Sequence, residues 1–102
     1  MWICLNNGFL SIVAHRDKPD HLLVRARRAG DIERLFPMAK VQTTPDADYR
    51  YRTVLPRQGV ARVVAEYLTD YLDYPNFKAS VEDHQLHSAY IRTWQTMAAL
   101  QA

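Results

Sequence analysis

The sequence predicts an α+β domain: a mostly antiparallel five-stranded sheet followed by two long helices packed on one face, in the order β-β-β-α-β-β-α-α. Three observations carry this. Apolar and β-branched runs with a period of two fill the first 55 residues, the period changes to three and four after Pro56, and turn residues punctuate the strands. The 102 residues suffice for one compact domain, 1–102, and are too few for two. With 48% hydrophobic and 24% charged residues, a disordered or low-complexity chain is excluded.

Trp2-Ile3-Cys4-Leu5 and Phe9-Leu10-Ser11-Ile12-Val13 read as the first two strands. Asn6-Asn7-Gly8 between them predicts a tight hairpin, because Asn-Gly tolerates the positive φ of a type I′ turn. The polar loop Arg16–Asp20 leads into a third strand over 21–27, with Leu22, Val24 and Ala26 on one face and Leu23, Arg25 and Arg27 on the other. Gly30–Phe36 reads as a short helix with Asp31 and Glu33 in its first turn and Pro37 as its stop. A short strand over 40–44 and the turn Pro45–Asp48 follow. Tyr49–Leu55 alternates strictly, which predicts a strand with Tyr49, Tyr51, Thr53 and Leu55 opposite Arg50, Arg52 and Val54.

Beyond Pro56, the residues Val60, Val63, Val64, Tyr67, Leu68, Tyr71 and Leu72 form one helical stripe. Tyr74-Pro75-Asn76-Phe77-Lys78 breaks it. Ser80–Asp83 is the expected cap of a last helix that carries Leu86, Tyr90, Ile91, Trp94, Met97, Ala98 and Leu100, with Trp94, Tyr90 and Met97 expected in the core.

Four of these segments, Met1-Trp2-Ile3-Cys4-Leu5-Asn6, Leu22–Arg28, Asp48–Arg52 and Asp73–Lys78, together resemble a family of small bacterial proteins that also occur in prophages and other mobile elements. The resemblance spans nearly the whole chain. It implies a bacterial or phage cytoplasmic setting, and it transfers no activity, cofactor or site residue.

Charge is uneven. Residues 1–57 hold ten Lys/Arg against six Asp/Glu, and residues 58–102 hold three against five, so a basic sheet and acidic helices are expected. The net charge of +2 gives little long-range pull on nucleic acid, which shifts the argument to local patches. Arg25 and Arg27 on one strand and Arg50 and Arg52 on another form the first candidate site. Guanidinium groups suit carboxylates and phosphates because a planar fork donates two parallel hydrogen bonds. Tyr49 and Tyr51 interleave with the second pair as in a platform for single-stranded nucleic acid, although strict alternation points them to the other face. A solvated face with cross-strand ion pairs is the plainer alternative.

Tyr74, Asn76, Phe77 and Lys78 form the second candidate, as an exposed recognition corner or as a helix-to-helix turn in which Phe77 plugs the core and Asn76 caps. His84 and His87 share a helix side and, with Glu82 or Asp83, supply too few ligands for zinc; no metal site and no cofactor are expected. The single Cys4 forms no internal disulfide and reads as a small buried hydrophobe. No nucleophile elbow, P-loop, dinucleotide fingerprint or zinc-protease motif is present, so no catalytic residue is assigned. A nuclease centre built from His15, His21, His84, His87 and Lys78 would leave no spacing signature.

No run approaches a membrane span and the N-terminus lacks a signal pattern, so a cytoplasmic location is expected. The expectation for function is a non-enzymatic protein that docks on a macromolecular partner, in the first place a protein, as anti-CRISPR inhibitors of phages do by analogy of size and setting. Direct nucleic-acid binding is the alternative, with a small nuclease behind it. The open sheet face could instead be covered by a second copy in a homodimer.

Overall fold

In the computed structural model, which describes residues 1–101, the sheet is five-stranded and antiparallel and helices follow it, as the α+β class requires. The strands are β1 (Trp2–Leu5), β2 (Gly8–Ala14), β3 (His21–Ala26), β4 (Gln42–Thr43) and β5 (Tyr51–Pro56), in the spatial order β1-β2-β3-β5-β4. The helices are α1 (Asp31–Leu35), α2 (Arg57–Glu66) and α3 (His84–Ala98).

The core lies on the face that carries Leu5, Leu10, Ile12, Val24 and Ala26, all buried. Ile32 and Phe36 reach it from the α1 segment and Val60 from α2, with Val63, Val64 and Tyr67 packed at its border. Thr53 is a buried polar group on this face, and its hydroxyl donates to the Lys40 carbonyl at 3.1 Å. Past Glu66 the backbone widens into a π-helical turn, Tyr67–Tyr71, closed by the Leu72 N–H on the Tyr67 carbonyl at 3.0 Å. The expected stripe leaves the sheet there, so Leu68, Tyr71 and Leu72 are exposed rather than buried.

α2 and α3 divide between the two faces. The apolar stripe of α3 meets Phe9, which alternation places opposite Leu10, and the buried Val81, Leu86 and Tyr90 pack with Phe9 and Phe77. Tyr90 fixes the helix to the hairpin: its one hydroxyl proton is shared between the carbonyls of Leu5 and Gly8, at 3.0 and 2.7 Å. Beyond Tyr90 and Ile91 the helix runs off the sheet. Trp94, Met97 and Leu100 are exposed, which corrects the expectation that Trp94 and Met97 fill the core.

Several local expectations change for identifiable reasons. The β1–β2 hairpin forms, with Leu5 opposite Gly8, but Asn6 and Asn7 are its central residues and neither has positive φ, so it is not type I′. Gly8 instead allows a close approach: a Cβ there would lie 3.1 Å from the Asp31 carboxyl group, which accepts the Phe9 N–H and would have to shift by a few tenths of an ångström. The cap of α3 is Asp83, whose side chain accepts from the Leu86 N–H at 2.9 Å, and not Ser80, which lies in a preceding 3-10 turn. Cys4 is exposed, because its side chain shares the Phe9 face and not the core face. Among the basic residues only Arg25 and Arg52 lie within paired strands, so a basic sheet set against acidic helices is not what forms.

Candidate functional site

The sheet register assembles the first candidate. Trp2, Ser11, Arg25, Arg52 and Gln42 are successive cross-strand partners and make one row over all five strands, on the face opposite the core. Arg25 and Arg52 are therefore direct neighbours. Arg27 and Arg50 lie one register step beyond the last paired residues, Ala26 and Tyr51.

Tyr49 ties three of these guanidinium groups together. Its ring centroid is 4.5 Å from the guanidinium carbon of Arg25 and 4.5 Å from that of Arg27. Its carbonyl accepts from Nε and Nη2 of Arg52, each at 3.3 Å. A cation over an aromatic face contributes about 0.5–2 kcal/mol, more as water is excluded. Only 5% of Tyr49 is exposed, so these contacts are shielded. Alternation predicts that Tyr49 faces away from the arginines, and the structure corrects this. The strand starts at Tyr51, and Asp48 still holds a turn, with its carboxylate accepting the Tyr49 N–H at 2.8 Å. Asp48 is the signal that marks Tyr49 as lying outside the alternating run. Tyr51 does follow alternation and packs against the core.

The arginines differ in how firmly they are held. Arg25 donates to Ser11 Oγ at 2.8 Å, while its Nε is buried without a partner. Arg52 adds an ion pair of 3.6 Å to the solvated Asp48, which screening makes weak. Arg27 and Arg50 are exposed, and among the described residues neither has an ion pair. Among the described residues the neighbouring Leu23 and Val54 of the same face belong to neither core cluster, and Val54 is exposed. The result is a group of like charges with one distant, hydrated carboxylate to balance it.

The second candidate, Tyr74–Lys78, turns inward. The Phe77 ring lies 5.8 Å from Tyr74 and 5.1 Å from Tyr90, Lys78 Nζ sits 4.1 Å above the Trp94 ring, and Asn76 caps the next turn through the Ala79 N–H at 3.2 Å. These side chains anchor α3, and the structure does not bring them to the arginine row by any hydrogen bond, ion pair or ring contact among the described residues. His15 and His21 are occupied locally. His15 Nδ1 accepts the N–H groups of Asp17 and Lys18 at 3.1 and 2.9 Å, and His21 Nδ1 is 2.8 Å from the Pro19 carbonyl. His84 and His87 gain no third ligand among the described residues, which contain no group of three or more metal-binding side chains.

A second charged locus joins α3 to the segment after β3. Arg28 pairs with Asp83 at 2.7 Å, and the Asp83 carboxyl is held down at about 2 by that guanidinium and by the Leu86 N–H. Asp31, buried, takes Arg34 at 2.7 Å and the Phe9 N–H at 3.1 Å. Burial pushes the Tyr90 hydroxyl well up, and it also raises the Cys4 thiol, one side of which rests on apolar atoms. No helix among the described residues is long and apolar enough to cross a membrane. Comparison with protein-family models, curated proteins and solved structures finds no match to this chain.

Proposed function

We propose that the chain is a non-catalytic docking protein that holds an acidic segment of a partner protein on the Arg25–Arg27–Arg52 face, with Arg50 beside it. The observation that supports this is the shared use of Tyr49, which pre-orders three guanidinium groups before any partner arrives. Ordering in advance lowers the entropy lost on binding. Exposed carboxylates are the complement of such a cluster, since each can take a forked pair of hydrogen bonds. In the bacterial or mobile-element setting that the resemblance implies, a domain of this kind inhibits a host protein by covering an acidic surface.

Nucleic acid is the less favoured partner for a specific reason. Stacking requires an open aromatic face, and Tyr49 offers its face to guanidinium groups while Tyr51 belongs to the core border.

The variant Arg27→Glu/Arg50→Glu tests the proposal, because both side chains are exposed and neither has an ion pair among the described residues. The wild type should be retained by immobilised poly-glutamate at about 50 mM salt and released by about 300 mM, as screening of exposed charges dictates. The double variant should bind at least about tenfold more weakly, with a thermal midpoint lowered by no more than about 8 °C, the worth of the lost Arg27 contact with Tyr49. Equal retention of the variant overturns the proposal, and so does tighter binding of a single-stranded oligonucleotide of matched charge.

A further inference from the structure

Where α3 crosses the hairpin there is a cavity of about 330 Å3, bordered by Trp2, Cys4 and Phe9 on the sheet side and by Leu86 and Tyr90 on the helix side. Its polar lining is concentrated in a few groups. Asp31 is one, and its charge is already met by Arg34 at 2.7 Å. Arg28 is another, and it is met by Asp83 at 2.7 Å. Arg27 is the third, and it has no carboxylate among the described residues; its guanidinium is held over Tyr49, which also lines the cavity. The space is therefore apolar, with one uncompensated positive charge at its rim.

We propose that this cavity binds an apolar monocarboxylate, with Arg27 taking the carboxylate and Trp2, Phe9 and Tyr90 enclosing the body. A single unpaired cation matches a single negative charge; a di- or triphosphate would leave charge unmet. The volume is at the small end of the range of about 300–1,000 Å3 found for ligand pockets, which suits a body of one or two rings or a short alkyl chain. Aromatic walls next to a guanidinium complement an aryl acid in shape and in charge. The inference shares Arg27 with the docking reading but not Arg25, Arg50 or Arg52, which lie outside the cavity lining, so a variant at Arg50 separates the two.

Cys4, the single cysteine, borders the cavity and reports on its occupancy. Alkylation of the chain by iodoacetamide is followed near pH 9, where enough thiolate forms despite the upward shift caused by burial. 1-Naphthoate should slow the reaction at least about fivefold in a saturable manner. 1-Naphthamide, the same shape without the charge, should need about ten times the concentration, the worth of a charge-assisted hydrogen bond. Arg27→Gln should remove the difference between the two, while Arg50→Glu should leave the naphthoate effect intact and weaken poly-glutamate binding. The proposal is overturned if millimolar naphthoate gives no protection, if acid and amide protect equally in the wild type, or if Arg27→Gln keeps the preference for the acid. It is equally overturned if Arg50→Glu abolishes protection, which would trace the effect to diffuse charge.

Discussion

Two tyrosines do more than fill space, and each does it through a different part of the residue. Tyr49 uses its ring and its backbone carbonyl to gather arginines from two strands. Its replacement by Ala should cost about 3 kcal/mol, as for other buried aromatic rings, and should also weaken poly-glutamate retention; Tyr49→Phe keeps the ring and should retain both. Urea denaturation alongside the binding assay separates the two effects. Tyr90 uses its hydroxyl to hold two hairpin carbonyls at 3.0 and 2.7 Å. Tyr90→Phe strips a buried acceptor pair of its donor, so a loss of about 1–2 kcal/mol in urea denaturation is expected. Arg25 and Arg52 were legible in the sequence as strand positions, whereas Arg27 and Arg50 lie one step past the paired residues. The tyrosine that joins Arg25 to Arg52 was not legible, because the alternating pattern runs through position 49 while the backbone at Asp48 is still turning.

At the scale of the element, α3 depends on its first turn. Asp83 caps Leu86 and pairs with Arg28, and its carboxyl is held near 2 against an ordinary 3.8. A carboxylate whose value is lowered by folding adds stability that is complete above its unfolded value and is lost as pH falls toward the folded one. The anchoring of α3 should therefore be constant above about pH 4.5 and weaken between about pH 4 and 2. Asp83→Asn keeps a capping oxygen and should flatten that limb of a thermal-midpoint profile against pH; Asp83→Ala should flatten it and lower the plateau as well. The strands and helices were readable from their periods, but their ends were not. β4 shrinks from an expected five residues to Gln42–Thr43. The cap moves from Ser80 to Asp83 because Ser80 is taken up by the 3-10 turn that the Phe77 carbonyl closes at 3.0 Å.

Over the whole molecule, burial is concentrated on one side of the sheet. Leu10 and Val24 are fully buried on β2 and β3, whereas everything in α3 after Ile91 is exposed. Amide exchange should follow this gradient: the amides of Leu10, Ile12 and Val24 slowest, those of Trp94–Ala98 at least about a hundredfold faster. The five-stranded antiparallel class was legible because alternation reports which side chains share a face. The position of α3 was not, because a stripe such as Leu86–Tyr90 marks the side of the helix that is covered and says nothing about which sheet face covers it. Only the fit of Tyr90 and Phe77 to Phe9 decides that, and it needs three distant segments at once.

The strand order has one last consequence. It leaves β1 and β4 at the borders, four and two residues long, against about 5–6 for an ordinary strand. Both border strands are therefore short templates for lateral growth of the sheet, and Pro56, which has no N–H to donate, closes the stretch of β5 that β4 leaves unpaired.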